Sequence, residues 1–200
     1  VDTREASGQC PPGKILAKAY FSNGPCNYTV IFCYDCPPTH LDSTEAEILS
    51  IFTTSSNLTN CRLIDSTVRN LALKAIAQKL MIECGTYPPC DPGPSTPNLH
   101  IKFSACAYYK NTFIDNGGGD IYYVWELIYC DGPHCVREYK SCWDYTTIPP
   151  TLNTPYEVVQ IGTFEKCGVE PILPGPYDPI WNTNWETDCF LMNPGSPCGD

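Results

Sequence analysis

The sequence predicts a β-rich α+β domain: an antiparallel sheet or a sandwich-like arrangement, stapled by disulfides, with one clear amphipathic helix and an extended Pro-rich C-terminal tail. Three observations lead there. Apolar and polar residues alternate over six short segments, 14–21, 26–34, 99–109, 121–129, 135–143 and 156–164. Apolar residues recur at helical spacing over one clear stretch, 66–82. Fourteen cysteines are spread over the whole 200-residue chain.

The elements follow in order. Residues 1–13 read as a polar N-terminal arm that ends in Cys10-Pro11-Pro12-Gly13. Ile15, Ala17, Ala19 and Phe21 then share one face of a strand, and Tyr28, Val30 and Phe32 share a face of the next. Ser22-Asn23-Gly24-Pro25 between them is a turn signal, so the pair is expected to be a hairpin. Past Pro37-Pro38 the pattern divides. Asp42-Ser43-Thr44 before Glu45 and Glu47 suits a helix start, while the β-branched run 48–54 suits a strand, and the segment stays open between the two.

The helix over 66–82 is capped by Ser66 in this reading, with Val68, Leu71, Ala72, Ala75, Ile76 and Leu80 as its apolar stripe. Arg69, Lys74 and Lys79 fall on the other positions, and Cys84-Gly85 supplies the stop. The Pro/Gly loop 88–97 is the candidate internal boundary of a domain spanning 14–167. The four later strands follow it, and 168–200 forms a tail with little periodicity that is expected to run extended over a surface. Gly24-Pro25-Cys26 with Cys33-Tyr34-Asp35 is echoed by Gly132-Pro133-His134-Cys135 with Cys142-Trp143-Asp144. Two copies of a strand unit would explain the echo, and so would chance in a Pro- and Cys-rich chain.

The cysteines are the strongest guide to environment. Cys10, Cys26, Cys33, Cys36, Cys61, Cys84, Cys90, Cys106, Cys130, Cys135, Cys142, Cys167, Cys189 and Cys198 are even in number and leave no region without one. They read as a disulfide framework formed in an oxidising compartment. Cys33-Tyr34-Asp35-Cys36 has redox or zinc spacing, but it ends a strand before two prolines instead of opening a helix. The chain starts at Val1, and the expectation is an extracellular or cell-surface protein whose signal peptide has been removed. No apolar run approaches the ~20 residues of a membrane span.

Composition and motifs exclude several functions. A net charge of −10 with twelve Lys and Arg gives no basic footprint for nucleic acid. His40, His100 and His134 lie in separate segments, without a Gly-x-Ser-x-Gly elbow or a His-Glu-x-x-His motif. Asp115-Asn116-Gly117-Gly118-Gly119-Asp120 has the ligand types for calcium, but it lacks a closing Glu and reads better as a glycine-permitted reversal. Glu126 interrupts an aromatic strand and is expected to face solvent. No catalytic residue, metal ligand or cofactor is therefore assigned. Asn27-Tyr28-Thr29 and Asn57-Leu58-Thr59 are N-glycosylation acceptors by pattern, so a glycan is a candidate partner at Asn27 and Asn57.

What remains is a structural role. In composition and layout the chain resembles secreted cysteine-rich bacterial surface proteins and pilins that assemble by strand exchange; no functional residue is carried over from that likeness. The expected function is a subunit of an extracellular polymer, with other copies of itself as partners. Its candidate contacts are Val1 and Thr3 in the arm and Ile172, Leu173, Tyr177, Ile180, Trp181, Trp185, Phe190 and Leu191 in the tail. A carbohydrate-binding module using Tyr177, Trp181 and Trp185 is the alternative reading, and a disulfide-rich secreted inhibitor or effector the third.

Overall fold

The protein is described here from a computed structural model, which covers residues 10–36, 43–55, 61, 64–85, 87–163 and 167–199. The first two alternating segments form the expected hairpin, β1 (Ile15–Asn23) and β2 (Cys26–Asp35), in antiparallel register from Ile15 opposite Tyr34 to Asn23 opposite Cys26. Gly24 carries the reversal at φ 58°, a conformation that costs glycine little. The undecided segment is a strand, β3 (Thr44–Ser55), antiparallel to β2. Glu45 and Glu47 point to the outer face while Ala46 and Ile48 are buried, so the acidic residues are solvated strand positions and not a helix start.

The far edge of β3 is shared by two partners. Its first half, Thr44–Glu47, pairs in parallel with β4 (Leu99–Ser104), and its second half, from Ser50, pairs antiparallel with β6 (Ile121–Tyr129). The expected strand 99–109 is therefore two elements, β4 and β5 (Cys106–Asp115), which part at Ala105 because β4 stays beside β3 while β5 turns to β6. The expected strand 135–143 is likewise divided, into β7 (His134–Tyr139) beside β4 and β8 (Cys142–Asp144), which pairs with β9 (Thr151–Asn153) in a separate two-stranded sheet. β10 (Tyr156–Ile161) pairs with β7 and is shorter than its predicted 156–164; Phe164 lies outside the described residues. All strands but β8 and β9 belong to one ten-stranded sheet, which continues across the loop 88–97 and is not divided there.

One face of this sheet is the core. Val30, Phe32, Ile51, Leu99, Ile101, Phe103, Ala107, Tyr109, Trp125 and Leu127 all point into it and are almost fully buried. Over the β1 side lies α1 (Ser66–Glu83), whose close approach is permitted by Ala17 and Ala19 on the inner face of β1. Asp65, not Ser66, is the N-cap: its carboxylate accepts from the Val68 N–H at 3.0 Å, and Ser66 is already helical. The buried stripe is Val68, Arg69, Ala72, Leu73, Ile76, Ala77, Leu80 and Met81. Leu71 and Ala75, expected in the stripe, are half-buried at its margin, and Arg69, expected outside it, is fully buried.

The tail extends the sheet beyond β5 through β11 (Trp185–Glu186) and β12 (Phe190–Leu191), both antiparallel to β5, and its aromatic side chains pack against the core face. All fourteen cysteines pair within the chain: 10–33, 26–61, 36–84, 90–142, 106–167, 130–189 and 135–198. Cys33 and Cys36 thus serve different bridges. The sequence echo has no structural counterpart: Cys26 and Cys33 share one strand, whereas Cys135 and Cys142 lie in different sheets with unrelated partners.

Candidate assembly surface

An open sheet ends in edges, and each edge is a row of backbone donors and acceptors. Here the strands β1–β2–β3–β4–β7–β10 form a continuous path whose pairings are antiparallel, antiparallel, parallel, antiparallel and antiparallel. Four reversals leave β1 and β10 pointing the same way, one at each end. Among the described residues, β1 pairs only with β2 and β10 only with β7.

The two edges differ in their side chains. β1 exposes Ile15, Leu16 and Tyr20, the last at 76 %, and carries Lys18 at its middle. β10 reads Tyr156-Glu157-Val158-Val159-Gln160-Ile161; Val158, Val159 and Ile161 are exposed, and it holds neither lysine nor proline. Lysine, proline and bulges are the usual means of making an edge unattractive to another strand, and β10 has none of them. Its inner flank is fixed by Arg137, whose guanidinium lies 4.4 Å from the centre of the Tyr156 ring and donates to Asn70 Oδ1 of the helix.

The tail residues expected to reach a neighbour are mostly spent on their own chain. Trp185 meets Trp125 edge-on at 4.9 Å between ring centres, Phe190 stacks on Tyr109 at 5.4 Å, and Trp181 packs against Tyr123. Leu173 and Leu191 pack against the core, and three bridges, at Cys167, Cys189 and Cys198, hold the segment down. Ile172 and Tyr177 project fully, and Ile180 is half out. Of the residues proposed to stack on sugar, Tyr177 is fully exposed, Trp185 is half-buried and Trp181 is buried. The physical reason is that alternation on the inner face of β5 and β6 leaves Tyr109, Tyr123 and Trp125 uncovered by α1, and the tail aromatics fill that place. Val1, Thr3 and Asn57 lie outside the described residues.

The other singled-out groups are scattered. Glu126 points to the outer face as alternation requires, yet it is only 9 % exposed, hemmed between Phe52 of β3 and Lys110 of β5. His100 sits 3.4 Å from the Ser43 hydroxyl, and His134 opens β7. The 115–120 loop joins β5 to β6 with Gly117, Gly118 and Gly119 all at positive φ, and the Asp115 carboxylate accepts from the Gly117 N–H at 2.8 Å. Among the described residues no three metal-ligating side chains converge, and no helix is long and apolar enough to cross a membrane.

Two features of the interior bear on durability and escaped the sequence reading. Arg69 carries its charge into the core, where its guanidinium lies over the Phe103 ring. Burial pushes the hydroxyls of Tyr87 and Tyr129 up to about 12; for Tyr129 the positive charges of Arg69 and Arg137 oppose the shift. Arg69 and Tyr129 stand where helix or strand periodicity calls for an apolar residue, and Tyr87, in the loop after α1, carries no such signal.

The fold and its surface define a class: a β-rich α+β protein with, among the described residues, one α-helix, an open mixed sheet and seven internal disulfides. Beyond that class the comparisons add nothing, since no protein-family model, no curated protein and no solved structure matches the chain.

Proposed function

We propose that the chain is a structural subunit of an extracellular polymer, hardened by its own disulfides and joined head to tail by strand addition. One observation carries this reading: among the described residues β1 and β10 are each paired on one side only, and they run in the same direction in one sheet. An edge strand gains affinity from main-chain hydrogen bonds, with alternate side chains adding contacts. Because the two edges are different surfaces, a contact between them is heterologous and repeats into an open filament instead of closing as a dimer.

In this arrangement β10 of one copy receives the N-terminal segment of the next, β1 together with the arm before it. The unguarded side chains of β10 support it as the accepting edge, and the stapling of the tail removes the other terminus as donor. The disulfides and the net charge of −10 suit a secreted protein kept soluble outside the cell until it adds to an end.

The test uses oxidised, full-length protein, sized at rising concentration and viewed by negative-stain microscopy. Polymers with a regular repeat are expected. The double substitution V158K/V159K, and separately removal of residues 1–9, should each leave a monomer with the same seven bridges. A wild-type chain that stays monomeric at high concentration, or polymers unaffected by both changes, would overturn the proposal. A monomer retained on polysaccharide would move the assignment to a binding module.

A further inference from the structure

We infer that Asn27 is an N-glycosylation site whose first sugar lies in a cleft built by the tip of the β1–β2 hairpin. Two independent observations meet at this residue. The first is the acceptor pattern Asn27-Tyr28-Thr29, which begins at the exposed second residue of β2, two residues past the turn. Asn27 and Thr29 are two apart in an extended strand, so both side chains point to the outer face. Asn27 Oδ1 accepts from the Ser22 hydroxyl at 2.7 Å, and its backbone carbonyl accepts from the Thr53 hydroxyl at 2.8 Å. The acceptor nitrogen, Nδ2, has no partner among the described residues.

The second observation is the cleft. About 390 Å³ of open space is bounded by Tyr20, Phe21, Ser22, Asn27, Thr29 and Thr54. That volume falls within the ~300–1,000 Å³ of small-ligand sites. Its floor carries hydroxyl groups, which suit sugar hydroxyls as donors and acceptors. Its wall is the Tyr20 ring, 76 % exposed, whose face suits the apolar C–H side of a hexose. Nothing in the fold requires a tyrosine there, since outer positions of β1 gain no burial from it.

The chemistry is a group transfer from a lipid-pyrophosphate-linked oligosaccharide, supplied by the secretory machinery of the host membrane. Asn27 Nδ2 forms a bond to the anomeric carbon, the bond from that carbon to the pyrophosphate oxygen breaks, Nδ2 gives up one proton, and the lipid pyrophosphate departs. Neither oxidant nor reductant is consumed. The inference needs a secreted chain but not the polymer, because a glycan on the outer face lies clear of strand addition in the plane of the sheet.

The experiment is secretion from a host with N-glycosylation machinery, beside a control protein whose sequon is fully occupied there, followed by mass mapping of peptides. A glycan is expected on the peptide holding Asn27, absent in N27Q and T29A, and kept in T29S. Y20A should leave occupancy unchanged and speed enzymatic release of the glycan from folded protein about fivefold, the loss of one ring contact. An unmodified Asn27 beside an occupied control would overturn the site, and release at the same rate from Y20A would overturn the cleft as its seat.

Discussion

Arg69 and Pro197 are joined across 128 positions of sequence: the buried guanidinium of the first donates to the backbone carbonyl of the second at 3.1 Å, and to that of Gly199 at 2.5 Å. Helix α1 and the end of the tail are thereby held by a charged donor in the core, beside the Cys135–Cys198 bridge. Charge-assisted hydrogen bonds are the strong ones, and they are strongest where water is excluded.

Replacing Arg69 with Met keeps most of the bulk but leaves those carbonyls without their donor. The expected cost is about 3 kcal/mol of unfolding free energy, read by denaturant titration of oxidised protein. Faster hydrogen exchange at residues 190–199 should accompany it. Unchanged exchange there would show that the bridge alone fixes the tail.

Within α1, the two isomeric leucine-sized side chains Leu71 and Ile76 should respond differently. Ile76 is fully buried, so truncation to Ala is expected to cost about 3 kcal/mol, within the range for filled core positions. Leu71 is half-buried, and its truncation should cost about 1 kcal/mol or less. Equal losses would mean that the helix sits rotated from the face described here.

Oxidised protein should weigh about 14 Da less than fully reduced protein, two hydrogens for each bridge. Peptide mapping without reduction should link Cys33 to Cys10 and Cys36 to Cys84, never Cys33 to Cys36. Alkylation before reduction should label nothing.

Alkaline pH should destabilise the fold through its buried tyrosines. A phenol whose folded pKa stands above its unfolded value of ~10 binds more protons folded than unfolded between the two, so stability falls as pH rises through that interval. For Tyr87 and Tyr129 the window runs from ~10 to about 12. Ultraviolet titration of native protein should show these two ionising above the ordinary phenol range, together with Tyr109, which burial raises further with the help of Glu170. Glu83 carries the opposite sign. The Lys79 ammonium at 2.6 Å lowers it, so its contribution is present above the ordinary carboxylate range and is lost as pH falls below it.

The hairpin, the helix and the β-rich class were legible because each depends on local periodicity. Segment 44–55 was not, for a specific reason. Between Ile31 and Phe32 of β2 the register shifts, with Ser50 and Ile48 as their partners, so Leu49 is an extra residue. A bulge of this kind flips the alternation midway, from Ala46 and Ile48 to Ile51 and Thr53, and erases the period-two signal. The division at Ala105 was invisible for the opposite reason. Leu99, Ile101, Phe103, Ala105, Ala107 and Tyr109 are all buried, so the alternation runs through unbroken while the partner strands change. The free edges could not be read at all, because which strand lies last in a sheet is set by topology and not by any one segment.

The bridge pattern also sets a timetable for biosynthesis. A chain emerging from its N-terminus has both halves of 10–33, 26–61, 36–84 and 90–142 in hand once residue 142 has appeared, whereas Cys106, Cys130 and Cys135 must wait for Cys167, Cys189 and Cys198. A chain that ends before residue 167 therefore leaves these three thiols without their partners. The first four bridges can close without the tail, and the other three close only when residues 167–198 are present.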